Sequence, residues 1–147
     1  MKIAIANDQG GFKFREELLR FLKHHKHQPI DCGNVYEESV DYPDHAIEAI
    51  DMVLNGNADR AILICGTGIG MSIIANRFQG IRAALAYNKE VAKLSREHNN
   101  ANVLCLGGRQ FNSVQMLLIV DAWLTTEFSK EKRHKRRLKK IEKYAII

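Results

Sequence analysis

No apolar run in this sequence approaches the ~20 residues that a membrane span requires, so a membrane is not an expected partner. Cysteine is sparse. Cys32, Cys65 and Cys105 are odd in number, far apart, and include no Cys-x-x-Cys pair. That argues against a disulfide framework, a zinc site or a thioredoxin-like motif, and suits a reducing cytoplasm. The opening Met1-Lys2-Ile3-Ala4-Ile5-Ala6-Asn7 is too short and too soon polar for a signal peptide, and reads as a first strand. There is no internal repeat, low-complexity tract or linker. The expectation is one domain, 1–147, long enough to bury roughly two-thirds of its unfolded surface. Apolar and charged fractions of 46% and 27% are those of an ordinary globular protein.

Acidic residues are scarce in one place. From Lys130 to Lys143, nine Lys and Arg face only Glu131 and Glu142; without this stretch the chain, at +5 overall, would be close to neutral. A basic helix can bind nucleic acid, but no RNA-binding motif accompanies it and Tyr144 is its only aromatic. Nucleic acid is therefore not the expected partner.

What is present is alternation. Short aliphatic runs at 3–6, 28–31, 61–64, 81–86 and 101–106 read as strands. Between them lie amphipathic stretches: Phe14, Leu18, Phe21 and Leu22 share one helical face, and Ala46, Ile50, Val53 and Leu54 another. Further helices are expected at 70–76, 88–98 and 113–124, with a basic helix running to about Tyr144. Strand–helix alternation at this spacing predicts a doubly wound, Rossmann-like α/β fold. Its five-stranded, mainly parallel sheet would carry helices on both faces. The run Met116-Leu117-Leu118-Ile119-Val120 is too apolar for a helix with one solvated side, and implies buried core or a subunit interface.

In such a sheet, ligands sit outside the carboxyl ends of the strands. That rim should hold Asn7-Asp8-Gln9, Cys65-Gly66-Thr67-Gly68, Tyr87-Asn88 and Gly107-Gly108-Arg109. His98-Asn99-Asn100 precedes its strand, so one subunit would place it lower and a second could bring it into reach. Cys65 ends the most hydrophobic strand and is followed at once by Gly66-Thr67-Gly68-Ile69-Gly70. A lone strand-end cysteine is usually an inert hydrophobe. Here the backbone N–H groups can form an anion nest that would also activate the thiol. The spacing G-x-G-x-G is neither a dinucleotide fingerprint nor a phosphate-binding Walker loop. Cys32 and Cys105 lack this setting and read as structural. His24, His25 and His27 cluster at a helix end, and His45 and His134 read as surface or packing. His98 reads either as a helix cap or as a proton-transfer group titrating near neutrality. Arg133 and Arg137, four residues apart, share one helical face and can form a phosphate clamp.

Asn7-Asp8, Asp41-Tyr42-Pro43, "ILICGTGIG", "SIIANRF", "LSREHNNANVLCLGGR" and "RHKRR" together resemble type B ribose-5-phosphate isomerases, within the group that includes galactose-6-phosphate isomerases. The resemblance covers essentially the whole chain. It implies aldose–ketose isomerisation of ribose 5-phosphate and ribulose 5-phosphate, in the pentose phosphate pathway, without metal or organic cofactor. Cys65 matches the base, Gly66, Gly68, Ile69 and Gly70 the anion hole, and His98, assisted by Thr67, the ring-opening group. Asp8, Asn99 and Arg109 match sugar contacts, and Arg133 and Arg137 the phosphate clamp. Gln9 stands where the ribose enzymes carry histidine; it can donate a neutral hydrogen bond but carries no charge. The resemblance further implies a cytoplasmic homodimer with sites lined by both subunits, leaving tetramers open. A 6-phosphohexose (allose or galactose) isomerase and a non-catalytic sugar-phosphate binder are the alternatives.

Overall fold

The computed structural model describes residues 1–144. Five strands, β1 (Lys2–Asn7), β2 (Gln28–Asp31), β3 (Arg60–Cys65), β4 (Ala83–Leu85) and β5 (Val103–Gly107), form one sheet in the order β2-β1-β3-β5-β4. Every pairing is parallel, as the crossover spacing predicts. The helices are α1 (Phe12–His24), α2 (Tyr42–Leu54), α3 (Ile69–Ala75), α4 (Lys89–Asn99), α5 (Ser113–Thr125) and α6 (Lys132–Tyr144). The doubly wound, Rossmann-like α/β class is the observed one.

Strand alternation sorts side chains into two cores. Ile3, Ile5, Ile62, Ile64, Leu104 and Leu106 pack against α1, α4 and α5. Ala4, Ala6, Ala61, Leu63 and Cys65 face α2 and α3, which answer with Ala46, Ala49, Ile50 and Met71. The small residues on this second face let α2 and α3 approach closely. Within α5, Met116, Ile119 and Val120 are buried core, whereas Val114 and Leu118 are more than half exposed. The apolar run is thus mainly core with an uncovered edge.

Two boundaries differ from the sequence reading. β4 is only Ala83–Leu85, not 81–86, because the Ile81 N–H closes a turn on Phe78 and the Arg82 N–H goes to the Asn102 side chain. β5 begins at Val103 rather than 101, since Ala101 bonds back to Ser95 at the end of α4. That end is shaped by Asn100, which caps α4 in the left-handed region at φ 46°. The cap is therefore Asn100, not His98.

From β1 the chain passes through α1 to β2 on one side, then through α2 back past β1 to β3 on its other side, so the winding reverses between β1 and β3. The crevice outside their carboxyl ends is where such a sheet binds ligands. Asp8 and Cys65 flank it.

Candidate active site

The rim is stitched together through backbone. The Asp8 N–H donates to the Ile64 carbonyl at 3.2 Å, Gly108 to Cys65 at 2.8 Å and Arg109 to Gly66 at 3.1 Å. The turns after β1, β3 and β5 touch where only glycine fits. A methyl on Gly10 would stand 2.5 Å from the Gly66 nitrogen, and one on Gly108 would strike the Gly10 carbonyl. Gly68 adds a conformational demand: at φ +79° it turns the chain from β3 into α3, packed against Leu85 and the Leu106 backbone.

Cys65 is 5% exposed at the end of β3, and its Sγ accepts the Gly68 N–H at 3.2 Å. Thr67 is exposed, and its Oγ1 accepts the Ile69 N–H at 3.3 Å. Two of the loop donors expected to face an anion therefore engage the loop's own sulfur and hydroxyl. The first-turn N–H groups of Gly70 and Met71 lie beyond reach of the intrahelical ladder, as at any helix start. The other two thiols have different settings. Burial pushes Cys32 up to about 11 and raises Cys105 further still.

Asp8 is buried, and its Oδ1 accepts the Gly10 N–H at 2.7 Å, which holds the turn at the crevice. The Gln9 side-chain Oε1 accepts the Val40 N–H at 3.0 Å, tying down the segment ahead of α2; the side-chain Nε2 is the group left to meet a ligand. The Arg109 guanidinium lies over Gly66, 3.3 Å from where a side chain there would begin. Tyr42 was not among the predicted site residues. Its ring packs directly beneath Gly70, leaving no room for a side chain at that position. The Asp41-Tyr42-Pro43 stretch was its only sequence signal.

The remaining candidates lie elsewhere. α4 runs back across the sheet, and its rise from Lys89 carries the chain about 14 Å from the rim by the time His98 is reached. There the half-exposed His98 ring stacks on His134 at a centroid distance of 4.4 Å, tilted 35°. Arg133 and Arg137 are exposed on the first turns of α6, with Arg133 donating to Glu131 at 2.9 Å. Asn99 is also exposed. It opens onto a cleft of ≈ 900 Å³ between α6 and the α3–β4 turn, lined further by Arg82, Ile141 and Tyr144. One protomer thus brings Asp8, Gln9, Cys65–Gly70 and Arg109 together at one edge of the sheet. It gathers His98, Asn99, Arg133 and Arg137 around the opposite end of α4.

The arrangement can supply a thiol base over a side-chain-free floor at one end, and imidazole and guanidinium groups at the other. Among the described residues, no group of three or more His, Cys, Asp or Glu is placed to hold a metal ion.

The chain is similar to solved structures along nearly its whole length. A Clostridium thermocellum ribose-5-phosphate isomerase B is 47% identical with a TM-score of 0.94, over 97% of this chain and 96% of that one. The Mycoplasma genitalium ribose-5-phosphate isomerase B, solved with bound ribulose 5-phosphate, is 39% identical with a TM-score of 0.92, over 97% and 95% of the two chains. A Mycolicibacterium paratuberculosis ribose-5-phosphate isomerase B is 39% identical over 145 residues, 98% of this chain and 91% of that protein. The family model described as Ribose/Galactose Isomerase matches residues 3–141, and the chain belongs to that family.

Proposed function

We propose that the protein interconverts ribose 5-phosphate and ribulose 5-phosphate as an aldose–ketose isomerase of the pentose phosphate pathway, working in the cytoplasm as a homodimer. The carrying observation is Cys65: a thiol at the crevice, with an N–H donor on its sulfur and a glycine floor around it. The thiolate takes the C2 proton of the open aldose. The C2–H electron pair forms the C1–C2 double bond, and the carbonyl pair moves onto O1. Gly66, Gly68, Ile69 and Gly70 line the place of the enediolate oxygen, where N–H donors are most effective; the Gly70 N–H stands outside the intrahelical ladder, and those of Gly68 and Ile69 turn to the oxygen from Cys65 Sγ and Thr67 Oγ1. The O2 proton passes to O1, Cys65 returns its proton to C1, and C2 becomes the ketone. The mechanism asks for no metal or organic cofactor.

His98, with Thr67 assisting from the facing subunit, moves the proton that opens the furanose. Arg133 and Arg137 hold the phosphate, and Asp8, Gln9, Asn99 and Arg109 contact the sugar. A homodimer reconciles these roles with the fold, since it can lay the α4–α6 end of one protomer over the rim of the other. The uncovered apolar side chains Ile69 and Ile73 on α3, and Ile141 and Tyr144 on α6, favour such a contact.

The test is ketose formation from a panel of aldose phosphates with no metal added. Turnover of ribose 5-phosphate is expected to exceed that of allose and galactose 6-phosphates. Cys65→Ala should lower it by at least roughly a thousandfold. Aldose recovered from deuterated water should carry deuterium at C2. Full activity in the alanine variant would remove Cys65 from the mechanism, and sugar-phosphate binding without turnover would make the protein a binder.

A further inference from the structure

His134 is 2% exposed, on a helix whose neighbouring positions are almost all charged. Packing alone asks for an aliphatic residue there; an imidazole brings polar atoms that must be satisfied. Its Nδ1 lies 2.6 Å from the Ser129 hydroxyl, which also accepts the Glu131 N–H at 3.2 Å. The hydroxyl thus bridges the Glu131 N–H and the ring nitrogen, which fixes the orientation of the imidazole. Ser129 is itself anchored, its N–H donating to the Glu97 carbonyl at 3.0 Å. The α5–α6 connection is thereby pinned to the last turn of α4, one residue from His98. Burial, with His98, Arg133 and Arg137 close by, holds the His134 imidazole below the ordinary histidine range, against the opposing pull of Glu131.

We propose that His134 is a positioning residue for His98, its ring locked by Ser129 and serving as the face on which the ring-opening imidazole is held. The half-exposed His98 side chain otherwise meets Glu97, whose Oε1 lies 4.0 Å from its Nε2, so the stack on His134 is the close contact that orients the ring. A proton shuttle misplaced by about 1 Å loses much of its rate. The inference rests on the ring-opening role given to His98.

The experiment compares two substrates in the full-length protein. Ribose 5-phosphate is largely cyclic, whereas 4-deoxyribose 5-phosphate lacks the hydroxyl that closes the furanose. His134→Ala and His134→Gln are expected to lower kcat on the cyclic substrate about tenfold, the scale of one lost ring contact, with the acyclic substrate unchanged. His134→Phe keeps the stacking face but gives up the Ser129 bond, and should show only the smaller loss on the cyclic substrate, with the acyclic one unchanged. Ser129→Ala, which leaves the ring in place, should show a smaller loss confined to the cyclic substrate, and serves if the His134 variants fail to fold. Equal losses on both substrates, or native turnover of ribose 5-phosphate in the alanine, glutamine and Ser129 variants, would overturn the proposal. A His98→Asn variant run alongside separates the layers. If it too loses both substrates equally, the ring-opening role falls first and takes this inference with it.

Discussion

Mixing two inactive variants measures whether the two ends of the protomer belong to one site. Cys65 stands at the carboxyl edge of the sheet, while α4 carries His98 about 14 Å back toward the opposite edge. Proton transfer requires groups within about 3 Å of the reacting atoms, so the two cannot serve one sugar from one chain. In a homodimer, a Cys65→Ala chain still offers its His98, and a His98→Asn chain its Cys65. When the two are unfolded together in equal amounts and refolded, about half the dimers are mixed. Each mixed dimer has one site with both native groups and one with neither, so about a quarter of native activity should return. Each parent alone should remain near background. Exchange is verified by native mass spectrometry and activity by ketose formation. Activity at the level of the parents, despite confirmed mixed dimers, would refute the shared site.

Other substitutions probe the parts separately. Gly68→Ala forces a side chain into the left-handed region and to within 2.8 Å of the Leu106 backbone. It should destabilise by at least about 1–2 kcal/mol and lower the thermal midpoint; an unchanged midpoint would show that the turn is looser than described. Arg133→Ala or Arg137→Ala should raise KM roughly 10- to 150-fold, from about 1.5–3 kcal/mol of charge-assisted bonding. Lys139→Ala and Lys140→Ala should change it little, and comparable effects from the lysines would dissolve the clamp. At pH 8 a Cys32 thiol held near 11 is ionised to about one part in a thousand. Cys105 is wholly buried, so alkylation mapped by peptide mass should fall on Cys65; prompt labelling of Cys32 would contradict the desolvation that holds its thiol protonated.

The sheet was readable because its central strands are buried, and residues 61–65 of β3 leave a continuous apolar run. β4 was read too long for the opposite reason. It is a half-buried edge strand, and the N–H of Arg82 is satisfied by a side chain that no local pattern announces. The position of His98 followed from topology alone, since a residue before a parallel strand lies at its amino edge. His134 was out of reach. Amid lysines and arginines it reads as surface, and its burial depends on Ser129 and His98, which are brought there by the turn after α5. Tyr42 was similarly hidden, because the reason Gly70 carries no side chain lies on another helix.

The meeting of Gly10, Gly66 and Gly108 has a thermodynamic consequence for ligand recognition. These contacts are backbone against backbone, so that part of the floor has no rotamers to freeze when a ligand arrives. With Arg133 and Arg137 as the proposed phosphate clamp, the ordering loss on binding falls on their long, exposed chains, each of which would give up of the order of 1–2 kcal/mol of side-chain freedom. Calorimetric titration of the arginine variants with a non-reactive sugar-phosphate analogue should accordingly show binding that loses enthalpy yet regains entropy. Enlarging the glycines should show no such compensation.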